Sequence, residues 1–87
     1  MAYSLEEWRN TRQHTDNLPE VLGVSDDQVQ PMGWIYFNER GGIAGYIETL
    51  GPGFYLATIN QCDHYVYGDD QLRALEEIVW NDITLTA

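Results

Sequence analysis

Residues 34–61 decide the fold, and they read WIYFNERGGIAGYIETLGPGFYLATINQ. Aromatic and β-branched residues dominate three runs within this stretch, and such residues favour β-strands. Two glycine-rich breaks, Gly41-Gly42 and Gly51-Pro52-Gly53, separate the runs. Glycine accepts positive φ angles and proline cannot donate to a central ladder, so both breaks are typical of turns. The pattern predicts three consecutive antiparallel strands, over residues 34–38, 43–50 and 54–61.

Simple hairpin pairing, without a bulge in either turn, assigns the side chains of these strands to two faces. One face carries Trp34, Tyr36, Ile43, Ile47, Tyr55, Ala57 and Ile59. The other carries Ile35, Phe37, Ala44, Tyr46, Glu48, Leu50, Phe54, Leu56 and Thr58. Neither face is polar throughout, as a solvated side of an antiparallel sheet would be. Either helices cover both faces, or one face is kept for a partner; cover by the terminal segments is the more ordinary arrangement.

The segments before the strands predict a helix followed by a connector. Ser4 and Glu7 form a capping box, and a helix is predicted from Leu5 to about residue 16, with Trp8 as its main apolar anchor. Residues 17–33 are predicted to form a connector with one or two helical turns. Proline is tolerated in the first turn of a helix, so residues 19–22 are one candidate turn, ending at Gly23.

The segments after the strands predict a short strand and a second helix. Residues 65–67 read Tyr-Val-Tyr and predict a fourth short strand that ends at Gly68. Asp69 or Asp70 then caps a helix that runs to about residue 81, and residues 83–86 form either a frayed tail or a short strand. The predicted fold is a single two-layer α+β domain over residues 1–87. It contains a three- or four-stranded antiparallel meander flanked by an N-terminal and a C-terminal helix.

Charge is the most unusual property of the composition. Fourteen acidic residues face four arginines and no lysine, which gives a formal net charge of −10. A field of this sign repels nucleic acid and anionic membranes and attracts basic proteins. The alternative is that the acidity serves solubility alone. A single cysteine excludes an internal disulfide, and no segment has the pattern of a signal peptide or a membrane span, so a cytoplasmic location is expected.

No motif for catalysis, metal binding or cofactor binding stands out. Cys62 and His64 are two residues apart and would project to the same side of a strand, but no second cysteine-rich cluster accompanies them. The paired acids are adjacent residues that look solvated, whereas acid–base chemistry needs a buried carboxylate with a raised pKa. We therefore expect a protein that is not an enzyme and that holds no metal or cofactor.

Acidic surface and surplus aromatic residues remain as functional signals. Eleven aromatic residues are many for a core that buries roughly 60–65% of the unfolded surface. Tyrosine and tryptophan favour interfaces, and carboxylates can bind arginines in the place of phosphates. The sequence predicts a module that binds a basic protein, a nuclease or a nucleic-acid-binding complex, without direct contact to nucleic acid or membrane. The predicted contact residues are Asp69, Asp70, Glu76, Glu77, Glu48, Tyr46 and Phe54.

In size, acidity and α+β layout the chain resembles small phage- or plasmid-borne inhibitors of host nucleic-acid enzymes, such as anti-CRISPR and antirestriction proteins. It equally resembles immunity proteins that neutralise a basic nuclease toxin. Both resemblances rest on composition along the whole chain and transfer no specific residue. They imply an inhibitor that blocks a basic site, as a nucleic-acid mimic does. A competing possibility is a homodimer that buries the surplus sheet face against its own copy.

Overall fold

The computed structural model describes residues 3–85, which form one five-stranded antiparallel sheet and three α-helices. The strands lie side by side in chain order: β1 (Gln13–Thr15), β2 (Gly33–Phe37), β3 (Ile43–Gly51), β4 (Phe54–Ile59) and β5 (Cys62–Tyr67). The helices are α1 (Leu5–Asn10), α2 (Leu18–Leu22) and α3 (Leu72–Leu85), and a 3₁₀ turn, Asp69–Gln71, precedes α3. The predicted α+β architecture is confirmed, with five strands instead of three or four.

The first helix is shorter than predicted, and the additional strand follows it. The capping box of Ser4 and Glu7 is present, but α1 ends at Asn10. Gln13–Thr15 instead pairs with β2, and Gln13 lies opposite Ile35. This segment has few apolar residues with which to pack as a helix, whereas the edge of β2 offers hydrogen-bond partners to its backbone.

The boundary between β4 and β5 also differs from the prediction. β4 ends at Ile59, and Asn60 and Gln61 have φ angles of 52° and 66°, so they form a two-residue turn. Such turns need positive φ at both central residues, which asparagine tolerates better than most. Cys62–Tyr67 is then a complete strand in register with β4, where we had expected a polar interruption and a strand over residues 65–67 only.

A 3₁₀ turn that begins at Asp69 leads into the C-terminal helix, which extends further than predicted. The N-cap of this turn is Gly68 and no side chain caps it, so the prediction that Asp69 or Asp70 caps the helix is wrong. α3 continues to Leu85, so residues 83–85 are helical and belong to neither a frayed tail nor a strand. Residue 86, which was also part of that prediction, lies outside the described residues. In the connector, α2 ends at Gly23 with φ 73°, which confirms the predicted short helical turn.

A bulge in β3 changes the predicted assignment of two side chains. Ile35 pairs with Tyr46 but Phe37 pairs with Ile43, so β3 contains one additional residue opposite Tyr36. Gly45 occupies the bulge with φ 115°, a conformation that side chains other than glycine rarely adopt. As a result Ile43 is exposed on the face of Ile35, and Ala44 packs against the core, which is the reverse of the bulge-free prediction.

The main core lies on the face of the sheet that α1 and α3 cover, which we call the helix-covered face. Trp8 is fully buried there and stacks on Tyr36, with 4.2 Å between ring centroids. Its indole Nε1 donates a 2.8 Å hydrogen bond to the carbonyl of Ala44. The buried residues of this core are Trp8, Tyr36, Ile47, Tyr55, Ala57, Leu72, Leu75 and Val79. Trp8 is thus the anchor of α1 that the sequence predicted.

The connector between β1 and β2 covers part of the opposite face, which we call the connector face. Leu18 is fully buried, and its Cδ2 lies only 2.8 Å from the position that a Cβ on Gly33 would occupy. Ile35 and Leu56 are buried on the same face. Helical segments therefore contact both faces, but α2 contacts the sheet mainly through β2 and leaves the β5 side open. Among residues 3–85, no helix is long and apolar enough to cross a membrane.

Candidate protein-binding surface

The structure separates the predicted contact residues into buried and exposed groups. Glu76 is fully buried and Glu48 is 5% exposed, so neither belongs to an exposed acidic surface, contrary to the prediction. The exposed acids Asp69 and Asp70 begin the 3₁₀ turn, and Glu77 lies on the outer side of α3. Tyr46 and Phe54 are half-buried on the connector face, so Glu77 and these two rings lie on opposite sides of the sheet.

Glu76 is buried because it is the centre of an ion-pair network. Arg9 Nε donates to its Oε1, and Arg12 Nη1 donates to its Oε2 at 2.9 Å. The hydroxyl of Tyr36 donates a further 2.6 Å hydrogen bond to Oε2. Burial, together with this bond, raises the pKa of Tyr36 far above its ordinary value, and the bond to Glu76 raises the pKa of Arg9. This carboxylate serves the fold and does not face a partner.

Glu48 is buried without a cation. Its Oε2 accepts a 3.1 Å hydrogen bond from the backbone N–H of Gln30, and it forms no ion pair among residues 3–85. Burial raises the pKa of Glu48, and the nearby charge of Asp63 adds to that increase. Burial, with the charge of Glu48, also raises the pKa of Tyr46. Glu48 therefore lies below the protein surface, near the half-buried ring of Tyr46.

Three aromatic rings form an exposed row on the β5 side of the connector face, which we call the aromatic strip: Phe54, Tyr65 and Tyr67. Phe54 stacks on Tyr67 with 4.4 Å between ring centroids and an interplanar angle of 8°. The centroid of the Tyr65 ring lies 5.9 Å from that of Phe54, on the side of Phe54 away from Tyr67. Tyr65 is 52% exposed and Tyr67 is 71% exposed, although both are large rings. The mutual stacking holds the rings in place while leaving much of their area accessible.

Carboxylates lie at both ends of the aromatic strip. Asp63 precedes Tyr65 on the same face of β5 and accepts a 2.9 Å hydrogen bond from the hydroxyl of Thr58. At the other end, Gly68 with φ 98° redirects the chain from Tyr67 into the exposed pair Asp69 and Asp70. Aromatic rings framed by acids suit a partner that presents basic and apolar groups together.

Three of the four arginines are paired with acids, and Arg40 is exposed without an ion pair among residues 3–85. Arg9 and Arg12 pair with Glu76, and Arg73 Nη2 lies 2.5 Å from Glu6 Oε1. Twelve of the fourteen acids, all except Glu48 and Glu76, are exposed or half-buried. The excess of negative charge is therefore carried almost entirely by the surface, where it can act on a diffusing partner.

A cleft of about 540 Å³ opens at the end of the helix-covered face, beside the turn between β3 and β4. Its sides include Trp34, Tyr55 and Met32. The hydroxyl of Tyr55 donates a 2.7 Å hydrogen bond to Asp69 Oδ1, which also lines the cleft. This bond, with burial as a smaller cause, raises the pKa of Tyr55 to about 12. Asp69 thus connects the cleft with the acidic end of the aromatic strip.

Cys62 and His64 both lie on β5, and their partners Ile59 and Ala57 place them on one face. Within residues 3–85, no group of three or more histidine, cysteine or acidic side chains is placed to hold a metal ion. The thiol of Cys62 is exposed.

No family model, curated protein or solved structure matches the chain. Its surface must therefore be interpreted from its own residues.

Sequence reasoning missed Tyr65, Tyr67 and Asp63 as surface residues. The signal was present, because Asp63, Tyr65 and Tyr67 recur with the period of two that places residues on one face of a strand. We had predicted a strand over residues 65–67 only and had assigned no face to it. The pairing of Phe54 with Tyr67 across β4 and β5 brings these residues together.

Proposed function

We propose that this protein is a non-enzymatic module that binds and inhibits a basic protein, by covering a site with which that protein handles nucleic acid. The observation that carries the proposal is the aromatic strip, with its two most exposed rings on an edge strand and carboxylates at both ends. Phe54 and Asp69 and Asp70 were predicted contact residues, and they remain in the proposed surface. Tyr46 lies on the same face at its margin, whereas Glu77, on the opposite side of the sheet, lies outside it.

The mechanism has an electrostatic and a packing component. The exposed acids raise the rate of encounter with a basic site, and this component weakens as salt screens the charges. The stacked rings then bury apolar area with little loss of side-chain freedom, because Phe54 and Tyr67 already hold each other. Carboxylates that occupy positions of phosphates would make the binding of the inhibitor and of nucleic acid mutually exclusive. Anti-CRISPR, antirestriction and nuclease-immunity functions all fit this mechanism, in the cytoplasm of the cell that contains the target.

The proposal is tested by capture on the immobilised protein from nuclease-treated lysate of the organism that encodes it or, for a phage-borne gene, of its host. We expect a basic nucleic-acid-binding protein that is released by a salt gradient and displaced by duplex DNA. A Tyr65→Ser/Tyr67→Ser double variant should lose the captured protein. Leu85→Ser, which removes an apolar side chain that is 84% exposed at the end of α3, should retain it. Equal capture by both variants would contradict the proposal.

A homodimer is the second candidate, and the position of β5 favours it. β5 is the last strand of the sheet, so its outer backbone groups pair with no other strand among residues 3–85. An open edge of this kind readily adds a strand from another chain. A sizing column distinguishes the two candidates. A concentration-dependent dimer that the Tyr65→Ser/Tyr67→Ser variant abolishes would favour self-association, whereas a monomer at all concentrations would exclude it.

A further inference from the structure

The cleft beside the β3–β4 turn combines aromatic walls with a few polar groups. His14, Trp34, Thr49 and Tyr55 come from four adjacent strands and share the helix-covered face. Met32, Leu50 and Pro52 add apolar contacts at the rim. Its volume of about 540 Å³ lies in the range of sites that hold a small molecule or a large side chain. Asp69 supplies the one carboxylate among the residues that line the cleft.

One polar group in this cleft is buried without a partner. The Oγ1 of Thr49 is inaccessible to solvent and forms no hydrogen bond among residues 3–85. An unpaired buried hydroxyl costs about 1–3 kcal/mol, so such groups are uncommon in folded proteins. Nearby, Asp69 uses Oδ1 to accept from Tyr55. Because Thr49 Oγ1 is closed to solvent, the acceptor that a ligand in the cleft can reach is Asp69, whose Oδ2 forms no hydrogen bond with residues 3–85.

The charges around the cleft favour a cationic ligand. Arg12 is the nearest cation, but Glu76 engages it at 2.9 Å. Its guanidinium carbon lies 5.1 Å from the centroid of the Trp34 ring, which shows that this ring accepts a guanidinium as a neighbour. His14 Nδ1 lies 3.8 Å from Asp16 Oδ1. The charge of Arg12 reaches Tyr55 in the cleft and is partly offset by Glu76, while twelve of the fourteen acids are exposed or half-buried.

We propose that the cleft binds a guanidinium group, and that its physiological ligand is an arginine side chain of the basic partner. This inference rests on the proposed function, because it specifies which chemical group of that partner is recognised. A planar guanidinium lies against aromatic walls and donates several hydrogen bonds in a fixed geometry. An ammonium offers a point charge without the plane, and a neutral apolar group would leave Asp69 Oδ2 without a donor.

The test uses N-acetyl-arginine amide as the probe and N-acetyl-citrulline amide as its uncharged isostere, each titrated into ¹⁵N-labelled protein and followed by NMR. We expect saturable shifts of the amide signals of Gly51 and Gly53 and of the Trp34 indole. The arginine probe should bind about tenfold more tightly than the citrulline probe, since charge-assisted hydrogen bonds replace neutral ones. Equal responses to both probes, or shifts that do not saturate at these signals, would overturn the inference.

Variants locate the site. Asp69→Asn keeps an acceptor for Tyr55 but removes the charge, and it should weaken the arginine probe about tenfold. Thr49→Val removes a hydroxyl that a ligand in the cleft cannot reach, so it should leave the affinity unchanged. Glu39→Gln removes the same charge in the turn between β2 and β3, at the opposite end of β3 from the cleft, and should leave the affinity unchanged. Equal weakening by Asp69→Asn and Glu39→Gln would mean that the probe responds only to net charge, which contradicts a site.

The probe titration needs no partner, so it fails independently of the proposed function. If the Tyr65→Ser/Tyr67→Ser variant loses the captured protein while the arginine probe never saturates the cleft, the proposed function stands and the guanidinium site does not. If the probe binds and Asp69→Asn weakens capture, both stand.

Discussion

The hydroxyl of Tyr36, in the middle of the sheet, donates a 2.6 Å hydrogen bond to the carboxylate of Glu76 on α3. Arg9 at the end of α1 and Arg12 just beyond it donate to the same carboxylate. One buried charge thus connects the N-terminal segment, β2 and the C-terminal helix. Three donors thus share the two oxygens of this carboxylate, which supplies the hydrogen bonds that a buried ion pair needs.

Replacement of Glu76 by glutamine should therefore destabilise the protein strongly. Glu76→Gln leaves two half-buried guanidinium groups without their counter-charge, and the expected loss is about 2–4 kcal/mol of unfolding free energy. Urea denaturation measures it. Glu77→Gln is the matched control, because the neighbouring side chain is 53% exposed; its effect should stay within about 0.5 kcal/mol. Equal losses in both variants would show that the network contributes no stability of its own.

The second buried glutamate should behave in the opposite way. Glu48 is 5% exposed, and its carboxylate accepts a hydrogen bond from the backbone N–H of Gln30. Its pKa is raised in the folded state, so ionisation costs folding free energy above that pKa and costs nothing below the unfolded value of 4.5. Glu48→Gln should be more stable than the wild type at pH 7, and the difference should vanish below about pH 4.5.

Chemical denaturation of the two proteins at several pH values from 7 to 4 provides the comparison. A Glu48→Gln variant that is less stable at pH 7 would mean that the carboxylate gains more from its surroundings than burial costs it.

The bulge at Gly45 should not tolerate a side chain. A Cβ at this position would lie 2.9 Å from Ile83 Cδ1 and 3.1 Å from Val79 Cγ1, and φ is already 115°. We expect Gly45→Ala to cost about 2–4 kcal/mol, from backbone strain and overpacking combined. Gly41→Ala separates the two causes, because φ there is 83° and nothing lies within 4 Å. It should cost about 1 kcal/mol in thermal or urea unfolding. Similar costs for both would argue against crowding at the bulge.

Stability should decrease between pH 10 and pH 12 because of Tyr55. Its hydrogen bond to Asp69 holds the folded pKa at about 12, above the ordinary value of 10. The unfolded chain therefore releases this proton first as the pH rises, and the stabilisation present below pH 10 is lost through pH 12. Tyr36 adds a further contribution of the same sign. Tyr55→Phe should show a smaller decrease in unfolding free energy over this interval, measured by urea denaturation. An unchanged slope in the variant would contradict this assignment.

The pattern of apolar runs and turns was sufficient to predict the central meander. Trp34, Tyr36, Ile47, Tyr55 and Ala57 do share the helix-covered face, since their alternation is a local property of extended chain. Ile43 and Ala44 were assigned wrongly because the bulge at Gly45 changes the phase of β3. The pattern of residues within β3 does not reveal this bulge. At the bulge, Trp8, Val79 and Ile83 leave no space for a side chain on Gly45.

The candidate surface was predicted less completely than the fold. The sequence was sufficient to predict the acidity, the surplus of aromatic residues and three residues of the candidate surface, Phe54, Asp69 and Asp70. The sequence does not distinguish a solvated carboxylate from one such as Glu76 that meets arginines 64 and 67 positions away. Likewise, the stacking of Phe54 on Tyr67 depends on the exact register between β4 and β5.

By itself, the sequence determined the class of the fold, the capped start of α1, the central strands and the strongly negative field, because each depends on neighbouring residues or on composition. The tertiary structure alone decided which acids are buried, which aromatic rings stack at the surface, and where a cleft joins His14, Thr49 and Asp69. These features depend on pairs of residues that are distant in the chain. Their relative positions are set by strand register and by helix packing, and the local pattern carries information about neither.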